Sequence, residues 1–460
     1  MRLVLIVIAL FCAYLTGSHI AHPFIDGDLY WQRQLGEYVL NDRALPHALG
    51  TDTFTAVGAP WVPQEWLLGT FVALVFRANA LWALSVVAGI ALFVTLAAIA
   101  VRSRRGGASL YSTLAALLFA GIVLESSFAL RAQVLAWPLL ALLLLVLDEE
   151  GNAVFWALPI TVAWANLHAS VMLAIPIVWI DAAAYAWKHP GKPGVRSRLL
   201  LCALVVLATL CTPLGWHLPL YAFSLLDSPI KHYINEWQPI SMSTQTVAGV
   251  LPLLLLTLYG MPRLWRERPR DLVLSLLMAA WGVAAARNIA LFAIVAAVPV
   301  ALATGVGEGW DDPLERRPLG ALALVSTIVL APILGWIAYH APPMFTPWPS
   351  PPRTVAALTA RPGEHRLLCA EYSWCALALG KPNVRVFIDG RADPYPPHVW
   401  AAYTTVAALR PEWQQTLDAY DVNAVIVWHG GRLEQAMETL AGWSQLPQDD
   451  PCCTLFVKKS

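Results

Sequence analysis

Charge is what this sequence has least of. Only 13% of its 460 residues are Asp, Glu, Lys or Arg, against 58% hydrophobic, and the mean hydropathy is +0.58. A soluble domain of that length would not have enough charge to cover its surface, so the composition excludes an ordinary globular enzyme and points to a polytopic membrane protein. Neither sign is in excess, with 30 basic and 30 acidic residues. That balance removes the electrostatic case for nucleic acid or a strongly acidic partner. The sequence also lacks internal repeats and any Cys/His spacing of a zinc site. No small-x-small cleavage site follows the first apolar run, 3–20, which is therefore expected to be a retained helix rather than a signal peptide.

What is present is a long series of apolar runs. A helix of about 20 apolar residues crosses the hydrocarbon core, and on that ruler about eleven spans are expected. They fall near 3–20, 81–101, 109–128, 134–147, 154–167, 171–187, 199–213, 247–261, 272–286, 289–303 and 319–339. The basic connections Arg102/Arg104/Arg105, Lys188/Lys192/Arg196/Arg198, Arg263/Arg266/Arg268/Arg270 and Arg316/Arg317 are expected in the cytoplasm. That places the N-terminus inside and the C-terminus outside, which for a bacterial inner membrane means a periplasmic C-terminal domain. The span interiors are expected to be nearly free of charge. The class expected is mainly α: a polytopic helix bundle over 1–340, including a first extracytoplasmic loop at 22–65. A proline-rich linker follows at 341–352, and then a small extracytoplasmic α/β domain at 353–460. In that domain 366–370, 384–388, 424–428 and 454–457 read as strands, and 399–409, 412–420 and 434–443 as helices. Of the seven cysteines, Cys12, Cys202 and Cys211 lie in apolar runs and read as small hydrophobes. In an oxidising compartment, Cys369 or Cys375 could bridge to the Cys452/Cys453 pair.

The candidate chemistry gathers in the loops assigned outside. Asp26 and Asp28, one residue apart around Gly27, can act as a general base with an orienting partner, or hold a divalent cation such as Mg2+ or Mn2+ through oxygen ligands. Asp28 has a competing structural role as the cap of the amphipathic helix that follows. Glu65 in QEW and Glu236 in NEW each precede an indole, an arrangement suited to a sugar or acceptor pocket or, alternatively, to a tryptophan anchor with a solvated carboxylate. Arg131 and Arg287 stand at outer boundaries, where a guanidinium can grip a phosphate bidentately or simply hold helix depth. His168 can donate to a phosphate or serve structurally. In VFIDGRADPYPP, Asp389 and Arg391 follow a strand, the edge at which α/β sheets place ligands; the alternative is a turn that packs the domain onto the first loop. Glu371 to Trp374 would roof the same site.

A first span followed at once by an acidic pair, an amphipathic helix, the loop ALPHALGTDTFT and the segment PWVPQEW resembles the GT-C superfamily of polytopic glycosyltransferases. The resemblance implies a catalytic carboxylate, Asp26 or Asp28, in the first extracytoplasmic loop and a site between that loop and the C-terminal domain. It implies a polyprenyl-phosphate-sugar donor from the bilayer, a glycan, lipid or protein acceptor in the cell envelope, and inversion in a single displacement. The alternatives from other classes are a transporter or flippase of a lipid-linked substrate and a non-catalytic glycan-lipid-binding scaffold.

Overall fold

The computed structural model describes residues 1–21, 27–128, 131–243, 246–304, 317–341, 349–447 and 450–459. Asp26, the stretch holding Arg316 and most of the expected linker lie outside the described residues. The chain divides into two compact units: Met1–Pro23, Leu81–Asp227 and Ile234–Thr346 form the first, and Phe24–Ala80, Ser228–Tyr233 and Pro347–Ser460 the second.

The first unit is helical, and its centre is the helix Ile289–Thr304. Every residue from Ile289 to Leu302 is buried. This segment is apolar all round and rich in alanine, so it has no polar stripe to give to a surface and its neighbours approach closely on every face. Those neighbours are Leu110–Ser126, Pro269–Ala284, Leu251–Tyr259 and Trp82–Arg105. Arg2–Ala21 packs on Trp82–Arg105 and on Arg317–His340. At the latter crossing a Cβ on Gly17 would sit 2.1 Å from the Gly335 carbonyl oxygen, so the backbones themselves are in contact.

Among the described residues, four helices are long and apolar enough to cross a membrane: Arg2–Ala21, Trp82–Arg105, Ala169–Lys188 and Ala286–Thr304. The pair Val247–Tyr259 and Met261–Glu267, bent by 67°, makes a fifth if taken as one span. The expected count of about eleven is not supported. Other apolar runs break after 10–17 residues, as in Leu110–Ser126, Ala132–Leu147 and Gly151–Ala165. A 16-residue helix rises only ~24 Å against a hydrocarbon core of ~30 Å. Local chemistry ends some of them early: Asn166 turns its amide back onto the Val162 carbonyl at 2.8 Å and closes the helix there.

The expectation of charge-free helix interiors also needs correction. At the end of the first unit that carries the basic loops, seven charged side chains interlock (Arg102, Arg198, Arg268, Arg270, Asp148, Asp181 and Asp271). Arg270 is the hub, donating to Asp148 at 2.5 Å, Asp181 at 2.9 Å and Asp271 at 2.9 Å. Arg102 reaches Asp148 at 2.8 Å and Asp271 at 3.0 Å, and Arg198 reaches Asp181 at 3.0 Å. The network joins five apolar segments; its arginines were read from sequence only as inside-facing charges, and its three aspartates were not singled out. Each ion leaves water at a cost of several kcal/mol, which only mutual pairing offsets.

The second unit carries a five-stranded sheet formed by β1 (His365–Cys369), β2 (Val384–Val386), β3 (Ala424–Trp428), β4 (Trp443–Gln445) and β5 (Cys453–Lys458), in the order β2-β1-β3-β5-β4. β1 runs parallel to β2 and β3, while β5 is antiparallel to β3 and β4. The expected helix over 434–443 stops at Glu438, because Gly442 (φ +83°) turns the chain and Trp443 begins a strand. The disulfides join Cys369 to Cys375 and Cys452 to Cys453, so the expected bridge between those two pairs does not form. Each cysteine pair is closest to its own partner in the chain. Of the free cysteines, Cys12 is buried and Cys211 is exposed. Away from the sheet, the helices Asp28–Asp42 and Trp66–Arg77 cross with a Cβ on Gly36 only 2.0 Å from the Gly69 carbonyl oxygen, so glycine is required there.

Removing Arg270 leaves three aspartates facing one another with fewer cations. Arg270→Ala is expected to cost about 3–5 kcal/mol and to lower the thermal midpoint in nanodiscs, whereas Arg263→Ala, at an exposed i,i+4 pair, is expected to change it little. Equal midpoints for Arg270→Ala and wild type would show the network to be dispensable.

Candidate functional site

In the second unit the TDTFT segment of the first loop lies along β2. Val386 donates to the Asp52 carbonyl at 2.8 Å, and Phe54 donates back to the Val386 carbonyl at 3.2 Å. The Thr53 hydroxyl donates to the Val386 carbonyl at 3.0 Å, and Thr55 to that of Phe387. The alternating threonines thus extend the sheet edge by one strand-like segment. Just beyond, Arg391 donates to Asp389 at 2.9 and 2.6 Å and to Asp52 at 3.0 Å, while the Tyr395 hydroxyl donates to Asp389 at 2.6 Å. Asp389 is fully buried and Arg391 nearly so. Burial works against the Arg391 cation, but Asp389 and Asp52 outweigh it and raise its pKa; the same carboxylate and burial raise that of Tyr395 well above its ordinary value. As placed, Asp389 and Arg391 clamp the first loop to the sheet. Asp52 and Tyr395 complete the clamp, and sequence reasoning missed both; the only signal was Asp52 within TDTFT.

Asp28 meets the same turn. It opens its helix after Gly27, which is the capping residue, and its carboxylate accepts from the Trp31 indole at 3.0 Å. A Cβ on Gly390 would come 2.9 Å from that carboxylate, so the glycine between Asp389 and Arg391 lets the acid approach the turn. Trp61 meets Trp31 edge to face (6.3 Å), and the Arg391 guanidinium lies over its ring (5.1 Å). Glu65 is held by Gln32 at 2.5 Å and by Gln64 at 2.9 Å. Among the described residues no group of three or more His, Cys, Asp or Glu could hold a metal ion. Asp26, the other acid of the expected pair, lies outside the described residues.

Four of the residues singled out by sequence converge in the first unit. Arg131 pairs with Glu236, and Arg287 reaches the same carboxylate at 3.5 Å while its guanidinium lies 4.6 Å over Trp237. Burial pushes the Glu236 carboxyl up, but the two arginines more than reverse this and hold it below the usual carboxylate range. His168 lies within the field of both Arg287 and Glu236; burial, with Arg287, lowers its pKa from 6.5 to about 3. Its Nδ1 accepts from the Ser170 amide at 3.0 Å, which leaves Nε2 as the protonated nitrogen of a neutral ring. The side chains of Arg131, Glu236 and Arg287 remain 31%, 33% and 20% exposed. Among the described residues, two guanidiniums thus meet on one partly exposed carboxylate. Glu125, in the last turn of Leu110–Ser126, is a half-buried acid with no salt bridge among the described residues. A lone carboxylate ending an apolar run is the signal that would have found it.

Solved structures share this architecture. Its fold is similar to that of an archaeal oligosaccharyltransferase. The Archaeoglobus fulgidus enzyme in its apo form matches with a TM-score of 0.52 at 12% identity, covering 93% of this chain and 69% of that one. A second structure of that enzyme, in complex with Zn and sulfate, gives 0.50 at 12% identity over 98% and 73%. At that identity the likeness is one of fold alone. The sequence matches no protein-family model and no curated protein.

The His168 environment has a signed pH consequence. The folded ring stays neutral down to about pH 3, whereas an unfolded one protonates near 6.5. The unfolded state therefore binds the extra proton between those values, and stability falls as the pH drops through that window. In nanodiscs the thermal midpoint is expected to fall between neutral pH and about pH 5, and His168→Gln should lose part of that fall. An identical fall in the variant would rule out a neutral buried imidazole.

Proposed function

We propose that the chain is a membrane glycosyltransferase of the GT-C type, moving a sugar from a polyprenyl-phosphate carrier to an acceptor hydroxyl on the extracytoplasmic side. The observation that carries this reading is the convergence of Arg131 and Arg287 on the partly exposed Glu236, in a chain whose fold is similar to that of an oligosaccharyltransferase. On this reading the guanidiniums take the phosphate oxygens of the donor and stabilise the charge that develops as the lipid phosphate leaves. Neutral His168, protonated at Nε2, donates to the same group. The acceptor hydroxyl gives its proton to Asp28 or Asp26 while its oxygen bonds the anomeric carbon, and the bond from that carbon to the phosphate oxygen breaks. One displacement inverts the configuration. The topology that goes with it has the N-terminus in the cytoplasm and the sheet domain outside, as in a bacterial inner-membrane enzyme acting on the cell envelope.

A specific observation favours the second reading, transport of a lipid-linked substrate: the 67° break between Val247–Tyr259 and Met261–Glu267, since broken helices line many transport sites. Reconstitution separates the two. With a polyprenyl-phosphate-sugar and a panel of acceptors in proteoliposomes, Asp28→Asn or Asp26→Asn is expected to lower sugar transfer about 10²–10⁴-fold, and Arg287→Ala about 10²-fold, in proteins with unchanged thermal midpoints. Full transfer by both aspartate variants would overturn the proposed base, and counterflow of labelled substrate without covalent product would favour transport.

A further inference from the structure

One cavity in the first unit belongs to none of the sites above. A groove of about 790 Å³ runs between the helices Arg2–Ala21, Trp82–Arg105 and Arg317–His340. That volume lies within the ~300–1,000 Å³ usual for small-molecule sites. Its walls are made by absent side-chain bulk: Ala9, Ala13 and Gly17 form one row at i, i+4 spacing, and Ala331 and Gly335 form another facing it. Pro332 lies inside the third helix, where it removes one backbone hydrogen bond. Among the described residues no Lys, Arg, Asp or Glu lines the groove.

One end of the groove has a different chemistry. Trp336 and Tyr339 are 64% and 47% exposed, the His340 imidazole lies 4.4 Å from the Trp336 ring and 5.1 Å from that of Tyr339, and His340 Nδ1 is 2.9 Å from the Trp336 carbonyl oxygen. Indole, phenol and imidazole gathered at a helix end are what proteins place at head-group depth, with an apolar body toward the tails and polar atoms toward water. Two of the three lining helices pass the length and hydropathy test for a span, so the medium that reaches the groove is hydrocarbon.

We propose that this groove is a binding site for one acyl chain of a bilayer phospholipid, retained by the protein with its head group beside Trp336, Tyr339 and His340. An isoprenoid phosphate would need cations where its phosphate lies. Among the described residues the lining offers no Lys or Arg, and neither Arg131 nor Arg287 lines it. A zwitterionic phospholipid needs only an apolar slot and an aromatic, hydrogen-bonding mouth.

The test uses the full chain, extracted from membranes and washed in detergent, with bound lipid read by native mass spectrometry. Wild type is expected to keep a phospholipid adduct. Ala9→Phe combined with Ala331→Phe, which fills the groove, is expected to weaken retention about tenfold, while Val7→Phe, outside the groove, leaves it unchanged. Equal retention in all three, no retained lipid in wild type, or a polyprenyl-phosphate adduct in place of phospholipid would each overturn the proposal. A second measurement is independent of how the filled variant folds: a phospholipid with a photoreactive acyl chain should crosslink wild type mainly to peptides from 2–21 and 329–340. Crosslinks spread evenly over the exposed apolar faces, such as that of Leu251–Tyr259, would overturn it as well. Sugar transfer is not read in either arm, so the outcome does not depend on the proposed activity.

Discussion

A charge that leaves water for an apolar bundle must find a partner, and in a chain with so few charges this constraint places nearly every one that matters. Arg270, with three aspartates around it, ties together helices whose other contacts are mostly apolar. Glu236 between Arg131 and Arg287 does the same for segments that connect the apolar runs. In the second unit, Arg391 between Asp389 and Asp52 fixes the first loop against the sheet edge. All three clusters obey the same electrostatics, but they differ in exposure. Arg102, Arg270, Asp181 and Asp271 at the heart of the first cluster are buried, with Asp148 and Arg268 reaching the surface, and Arg391 with Asp389 is buried as well. The carboxylate of the Glu236 cluster stays about a third open.

Close backbone approach is the second device, and it works beside the first. Gly17 against Gly335, Gly36 against Gly69 and Gly390 against Asp28 all bring a backbone within reach of something a Cβ would displace. In lipid, where apolar burial gives helices little reason to prefer one another over acyl chains, small residues at the crossings supply the packing that holds them. The same economy of side chains leaves the groove beside Ala9, Ala13 and Ala331. Contact and vacancy come from one composition, rich in alanine and glycine.

Several features were legible in the residues themselves. The helical, membrane-embedded character follows from hydropathy, and the sheet domain after Tyr339 from a change of periodicity. Four of the five strands fall within a residue or two of their expected places, because short apolar runs bounded by turn residues carry their own signal. The span count was not legible, since a one-dimensional ruler counts apolar residues and cannot see where a side chain such as Asn166 folds back to end a helix. Nor was the disulfide pairing, because four cysteines allow three pairings and only the approach of Cys369 to Cys375 selects one.

Sequence by itself determined which residues could not be ordinary: Asp28, Arg131, His168, Glu236 and Arg287 stood out because an apolar chain tolerates a polar group only where that group has a partner or a task. It did not determine the partners. Residues 131, 168, 236 and 287 meet only after the chain has crossed its bundle several times, and Asp52 finds Arg391 across 339 positions of sequence. Such pairings depend on which helix faces are buried together, a property of packing in three dimensions that no local periodicity records. Tertiary structure therefore decided which charges are buried together and which stay partly exposed.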